Sequence, residues 1–247
     1  MALSKNQIKF ICSLHQKKHR TENGLFIAEG EKVVKELLLS SLKIESIYAT
    51  KNFADQNQEF NTTIITEDEL TKISALTTPN EVLAIAQIPH YKIDRKEIAD
   101  SLSLVLDEIQ DPGNLGTIIR IADWFGIKNI ICSENSVDPF NPKVVQATMG
   151  SIFRVKIHHT DLKLFLETEN SLEIYGAVLN GENIYEEKLT GKGLIILGNE
   201  SKGISKELLP FITHKIKIPS HDHSKAESLN IASATAIICY EFRRNHL

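Results

Sequence analysis

Three stretches of this chain place glycines and polar side chains directly after short apolar runs. The first reads Asp107-Glu-Ile-Gln-Asp-Pro-Gly-Asn-Leu-Gly-Thr-Ile-Ile-Arg120. Asp111, Pro112, Gly113 and Asn114 are turn and cap types, so it reads as a strand-to-helix turn with Asn114 as the helix cap. Arg120 follows six residues on, about 600° around a helix, which leaves it about 120° from Asn114 and off its stripe. A guanidinium so placed can grip a phosphate or carboxylate bidentately; the plainer alternative is a solvated arginine. The second stretch is Gly193-Leu-Ile-Ile-Leu-Gly198-Asn-Glu-Ser-Lys-Gly203-Ile-Ser205. It nearly matches the phosphate-binding pattern G-x-x-x-x-G-K-[ST], but Ile204 stands where the lysine must be, which weighs against a nucleoside-triphosphate site. Gly198 lets backbone approach a ligand closely. Glu200 is either a helix-start acid favoured by the dipole or a ligand group. The third runs from Ile218-Pro219 through S-H-D-H-S-K-A-E to Ser228-Leu-Asn230 and an apolar helix. Ser228 and Asn230 open that helix, either as simple N-caps or as functional groups. Leu229, Ala232, Ser233, Ala236, Ile237 and Tyr240 share one of its faces.

Other chemistries are poorly supported. His221 and His223, two apart around Asp222, lack an obvious third ligand, and so does His158-His159; no metal is expected. No nucleophile elbow and no G-x-G-x-x-G after a strand is present.

The elements that must hold these loops follow from apolar periodicity. In the N-terminal part, residues 4–19 read as one helix. Strands follow at 25–28, 44–49, 63–65 and 82–86, with helices at 31–39 and 67–73. The polar, proline-led stretch Pro89–Lys96 breaks the pattern. Beyond it, strands at 103–106, 127–132, 155–158, 173–179, 193–197 and 215–218 alternate with helices at 113–125, 142–149, 161–169, from 205 and at 227–243. The fold class is therefore α/β, with a parallel sheet covered on both faces. Ligands of such sheets bind beyond the carboxyl ends of the strands, where the loops after Leu106, Leu197 and Ile218 lie. The expected division is a small α/β domain at 1–88, a linker at 89–98 and a second domain at 99–247.

Composition bounds the partners. At 247 residues, 42% hydrophobic and 24% charged, the chain is globular and long enough for one or two domains. Three distant cysteines, Cys12, Cys132 and Cys239, suit a reducing compartment and so a cytoplasmic location. No apolar run approaches the roughly 20 residues that span a bilayer, and the N-terminus makes a poor signal peptide; no membrane partner is expected. The net charge of −4 hides an asymmetry. Residues 1–20 carry Lys5, Lys9, Lys17, Lys18 and Arg20 and no acid, while the remaining residues carry 23 basic and 32 acidic side chains. A basic arm on an acidic body is either a solvated helix face or one that meets a polyanion such as a nucleic acid.

Taken as an ordered set, D-P-G-N-L-G-T-I-I-R, L-G-N-E-S-K-G-I-S and I-P-…-S-L-N-I-A-S-A resemble the three motifs of the TrmH/SpoU family of RNA 2′-O-ribose methyltransferases, over about 103–243. F-I-A-E-G-E-K-V-V-K-E-L-L, from Phe26 to Leu38, is similar to the ribosomal-protein-L30e-like substrate-binding domain that many members carry. The resemblance implies an L30e-like RNA-binding domain, then a parallel-sheet domain whose C-terminal part forms a deep trefoil knot. It also implies a homodimer and S-adenosylmethionine as cofactor. By motif, Gly198, Ile218 and Leu229 line the cofactor pocket, and Asn114, Arg120, Glu200, Ser228 and Asn230 match the family's catalytic and structural polar positions. One departure is the loop 220–227: many members have a Met first and about two residues fewer. The implied reaction is methyl transfer to a ribose 2′-hydroxyl. A guanidinium does not deprotonate in proteins, so Arg120 is expected to stabilise the developing alkoxide or hold the neighbouring phosphate, with Ser228 and Asn230 orienting groups. Lys5, Lys9, Lys17, Lys18 and Arg20 are expected to contact the RNA backbone. Ribosomal RNA is favoured over tRNA; a tRNA enzyme and an inactive RNA-binding adapter of the same fold are the alternatives.

Overall fold

The computed structural model describes residues 3–169 and 171–244. In chain order it holds α1 (Lys5–Ser13), α2 (Lys17–Asn23), β1 (Leu25–Glu29), α3 (Glu31–Leu38), β2 (Ile44–Ala49), α4 (Lys51–Gln56), β3 (Thr63–Ile64), α5 (Glu67–Ile73) and β4 (Val82–Gln87). Then come α6 (Arg95–Ala99), β5 (Leu102–Leu106), α7 (Pro112–Trp124), β6 (Asn129–Ser133), α8 (Pro142–Thr148), β7 (Lys156–Thr160) and α9 (Leu162–Glu167). The last are β8 (Ile174–Asn183), β9 (Gly193–Leu197), β10 (His214–Lys217) and α10 (Ile231–Arg243). The chain divides into two compact units. Unit 1 runs to His90 and takes in a later segment, Asp138–Arg154; unit 2 holds Tyr91–Val137 and everything from Val155.

Unit 1 is built on a four-stranded mixed sheet of order β1-β4-β2-β3. β4 pairs antiparallel with β1 and β2, and β3 adds to β2 in parallel. Ile11, Leu14, Ile27, Ile73, Leu83 and Ile85 pack into one apolar cluster. The later segment is integral to this core. Phe140 and Phe153 pack against the buried Phe26 ring, at centroid separations of 4.8 and 6.3 Å.

The single helix expected over 4–19 is two helices, α1 and α2. Arg20 accounts for the break. Its Nη1 donates to the carbonyls of Leu14 and His15, each at 2.9 Å, so a cation satisfies the chain just past the end of α1. Its Nε and Nη2 both donate to the Asp138 carboxylate. Arg20 is 2% exposed. The expectation that it contacts RNA backbone is therefore corrected: its donors are spent inside unit 1.

Unit 2 carries a six-stranded sheet of order β10-β8-β9-β5-β6-β7. Every pairing is parallel. β5 and β9 pair in unbroken register from Leu102↔Gly193 to Leu106↔Leu197. Both are buried along their whole length, which is why they read as continuous apolar runs instead of alternating ones. β10 and β8 slip register: Lys215 faces Gly176, but Ile216 faces Glu182. Residues 177–181 are thereby left out of the ladder.

Two helix limits differ from expectation for capping reasons. α7 is capped by Asp111, whose Oδ1 accepts the Asn114 N–H at 2.8 Å, with Pro112 at the first helical position. Asn114 is not the cap, and its amide is free for other bonds. α10 begins at Ile231, not 227, because Asn230 caps it, Oδ1 accepting from the N–H groups of Ala232 and Ser233 at 2.9 and 3.3 Å. No α-helix starts at 205; the chain turns there and makes only a short 3₁₀ segment at Leu209–Phe211. Among the described residues, no helix is long and apolar enough to cross a membrane.

Candidate active site

The carboxyl ends of β5, β9 and β10 in unit 2 carry the three loops. Leu106 and Leu197 are register partners, and the ladder runs one step further, Asp107 N–H donating to Leu197 O at 2.9 Å. The first two loops are then stapled together by side chains. The buried Asp107 carboxylate accepts Ser205 N–H at 2.7 Å, and Asn199 Nδ2 donates to Glu108 O at 2.9 Å. Lys202 Nζ reaches Glu108 Oε2 at 3.0 Å. That ammonium, by hydrogen bond first and charge second, holds the Glu108 carboxyl below its ordinary pKa of 4.5.

Gly198 is required by this loop's own fold. Its antiparallel bridge, Asn199 to Gly203, folds the chain back so tightly that a Cβ on residue 198 would sit 2.2 Å from Gly203 C and 2.3 Å from Ile204 N. The close approach read from sequence is thus to backbone of the same loop. Ile204, in the place of the phosphate-binding lysine, is buried in the sheet's apolar cluster with Leu194, Ile196 and Leu208.

The polar residues of all three loops join in one hydrogen-bonded chain. Asn114 Nδ2 donates to Glu200 Oε1 at 2.7 Å. Asn230 Nδ2 donates to Asn114 Oδ1 at 2.9 Å. Asn230 Oδ1 is taken by the first N–H groups of α10. The direction of this relay is forced. A helix N-terminus offers only donors, so Asn230 must turn its oxygen there and its NH₂ outward. Asn114 must then accept with its oxygen and donate with its nitrogen, which leaves Glu200 Oε1 as an acceptor. The positive end of a 13-residue helix is thereby connected to a carboxylate through two amides.

The remaining expected site residues make no hydrogen bond to this relay among the described residues. Arg120 is exposed on the outer side of α7 and has no ion pair among the described residues. The Ser228 hydroxyl is exposed and without a partner among the described residues. Ile218 is half-buried, and Leu229 is 50% exposed. Residues 220–230 are exposed throughout. Sequence reading missed residues 177–181, whose exposed Leu179 and unladdered backbone lie along β8 between the partners β9 and β10. The sign in the sequence is Gly181: a Cβ there would meet Ile216 backbone at 2.6 Å. These strand ends suit a cofactor that is partly apolar and partly hydrogen-bonding: Leu179, Ile218 and Leu229 offer apolar contact, and unladdered backbone offers donors and acceptors. Among the described residues, no group of three or more His, Cys, Asp or Glu is placed to hold a metal ion.

A parallel α/β sheet whose carboxyl-end loops are joined by such a polar relay defines an α/β domain with a ligand site at its strand ends, preceded here by a smaller α/β unit. Comparison with known proteins gives the class a name. Residues 101–240 match the SpoU rRNA Methylase family, and residues 5–84 match the MRM3-like substrate binding domain. The chain belongs to the SpoU family of RNA 2′-O-methyltransferases. It is 30% identical, over 97% of both chains, to the 23S rRNA (guanosine(2553)-2′-O)-methyltransferase RlmP of Bacillus subtilis (strain 168). Among solved structures it is similar to a TrmH-family chain from Porphyromonas gingivalis, with 37% identity, a TM-score of 0.89, and 98% of this chain and 99% of that one covered. It is also similar to the AdoMet-bound rRNA methyltransferase from Sinorhizobium meliloti, with 30% identity, a TM-score of 0.86, and 100% and 98% covered.

Proposed function

We propose that this protein methylates a ribose 2′-hydroxyl of ribosomal RNA, with S-adenosylmethionine as donor. The observation that carries the reading is the relay from α10 through Asn230 and Asn114 to Glu200, which ties together the three loops at one end of the sheet. The bound donor supplies a methyl group already activated on a sulfonium. What remains for the protein is alignment and charge. Gly198, Ile218 and Leu229 hold the donor, joined by residues 177–181. The relay holds Glu200 in place, with its second oxygen free to accept a ribose hydroxyl or a donor-side N–H. Arg120, without an ion pair among the described residues, stabilises the alkoxide as the 2′-hydroxyl loses its proton or holds the adjacent phosphate, and Ser228 orients it. Unit 1, around residues 1–88, holds the RNA, and Lys5, Lys9, Lys17 and Lys18, all exposed, contact its backbone.

We further infer a homodimer acting in the cytoplasm, with its C-terminal segment threaded as the family resemblance implies. α7 and α10 pack on each other. On α7, Thr117, Arg120 and Trp124 face outward, as do Ser233 and Tyr240 on α10; Trp124 is 83% exposed and Tyr240 51%. A second copy covering that ridge would bury both aromatics and bring Arg120 to the edge of the partner's site.

The test is a map of 2′-O-methyl groups in total RNA from a strain lacking the protein, with complementation by wild type and Arg120→Lys. Loss of one ribosomal RNA methyl group, restored by wild type and not by Arg120→Lys, is expected. Loss only from tRNA corrects the target. No loss from either overturns the reading and favours an adapter.

A further inference from the structure

The geometry points to Phe10 as a stacking platform for an unpaired RNA base, at the edge of the lysine face of α1. This rests on the reading that unit 1 binds RNA. α1 is firmly built: Ser4 and Gln7 form a reciprocal capping box at its start. Its inward stripe is complete without Phe10. Ile11, with Leu3 and Leu14 on either flank, is buried in the apolar cluster of unit 1, and Ile8 packs against that cluster. Lys5, Asn6, Gln7 and Lys9 face solvent, and Phe10, 41% exposed, lies about 100° around the helix from Lys9 and about 140° from Lys5, at the edge of the lysine face. Asn6 lies one turn before it and Ser13 one turn after, on the same side of the helix. Ser13 is occupied, its hydroxyl donating to Phe10 O at 2.6 Å, so Asn6 is the polar group free to meet a base edge.

The charge around the ring is one-sided. No acid occurs between Met1 and Thr21. Lys5, Lys9 and Lys17 have no ion pair among the described residues, and Lys18 has only a loose one with Glu22 at 3.9 Å. α5 packs against α1; its Glu69 accepts from the N–H groups of Leu3 and Thr66, and Glu67 and Asp68 beside it are exposed. An exposed aromatic ring bordering a lysine face in an acid-free segment matches a single-stranded nucleic acid, which offers anionic phosphates and flat bases together. A protein partner would match the apolar ring or the charge, and a duplex only the charge, because its bases are already stacked.

The experiment measures binding of a fluorescein-labelled 12-nucleotide oligo(A) and of a 12-base-pair RNA duplex to the full-length protein, as wild type, Phe10→Ala, Phe10→Leu, Phe10→Tyr and Lys9→Gln. Phe10→Ala is expected to weaken oligo(A) binding about five- to tenfold, the lower part of the range for one base–aromatic stack, with the salt slope and duplex binding unchanged. Phe10→Leu should weaken it too, and Phe10→Tyr should keep it. Lys9→Gln should instead lower the salt slope on both probes, by about 0.7 on the single strand. A 12-mer carrying 5-iodouridine should crosslink to the peptide that contains Phe10. Wild-type affinity in Phe10→Ala and Phe10→Leu, or crosslinks mapping elsewhere, overturns the stacking role and leaves RNA binding intact. Failure of the wild type to bind either probe or purified ribosomal RNA overturns both.

Discussion

Replacing Asn114 by Asp keeps the shape of the relay and reverses one of its bonds. The side chain can still accept from Asn230, but an oxygen takes the place of Nδ2, 2.7 Å from Glu200 Oε1. Two unit charges at that separation repel by about 1.5 kcal/mol in water and about 6 kcal/mol at an effective dielectric of about 20. Glu200 is exposed, so the lower figure governs. The lost hydrogen bond to a charged acceptor adds about 1.5 kcal/mol or more. Together these amount to about 3 kcal/mol, or about a hundredfold in kcat/KM if the relay must be intact in the transition state. The penalty has a pH signature. Two adjoining carboxylates raise each other's affinity for a proton, and one shared proton restores an O–H donor between them. The ratio of Asn114→Asp to wild-type activity should therefore be about 0.01 at pH 8 and recover to about 0.1 or better near pH 5. Asn114→Ala, which loses both bonds, should show no acid recovery. The assay is transfer of labelled methyl from S-adenosylmethionine to ribosomal RNA from the deletion strain, each variant normalised to wild type at the same pH. A flat ratio for Asn114→Asp, or full activity at pH 8, would refute the directional relay.

Gly198→Ala should abolish binding of S-adenosylhomocysteine by calorimetry, because its Cβ would fall 2.2–2.4 Å from backbone; Gly203→Ala, strained at φ +70° but with open space, should bind and lose only about 1–2 kcal/mol of stability. The reverse order would sink the account of that loop. Arg20→Ala should cost about 3–5 kcal/mol in urea unfolding, as removal of one member of a buried pair does, while Lys17→Gln should stay within about 0.5 kcal/mol. His158 is held below its ordinary pKa of 6.5, chiefly by burial. The unfolded chain then binds the proton first, so stability falls as pH drops below about 6.5. His158→Gln should flatten that fall between pH 6.5 and 5, read as urea midpoints, and equal slopes in the two proteins would contradict it.

The sheet of unit 2 was the most legible part of the fold, since β9 is apolar throughout, β5 is interrupted only by Ser103 and the centre of β6 is the apolar Ile130–Cys132. Less visible was whatever depends on residues far apart in sequence. Arg20 looks like any member of a basic run, because nothing local announces a carboxylate 118 residues later. α4 went unread because Lys51–Gln56 is short and mostly polar, and its stability comes from the Thr50 cap and the burial of Phe53 and Ala54. At the site, Asn114, Glu200 and Asn230 stood out as polar residues of three separate loops, and residues 177–181 did not stand out. How the polar residues pair was not legible: Asp111 competes with Asn114 for the cap of α7, and only the geometry shows that Asp111 takes it and releases Asn114 to join Glu200 with Asn230.

The late segment of unit 1 has a consequence for synthesis. Until residues 138–154 exist, Arg20 has no Asp138 and the Phe26 ring has neither Phe140 nor Phe153. At about 5–20 residues per second, the sixty-odd residues after His90 take roughly 3–13 s to emerge. For that interval the nascent chain carries its lysine-rich helix with a core still open. A chain released early, anywhere in the linker, would therefore be a clearance substrate and a poor competitor for the intact enzyme's RNA.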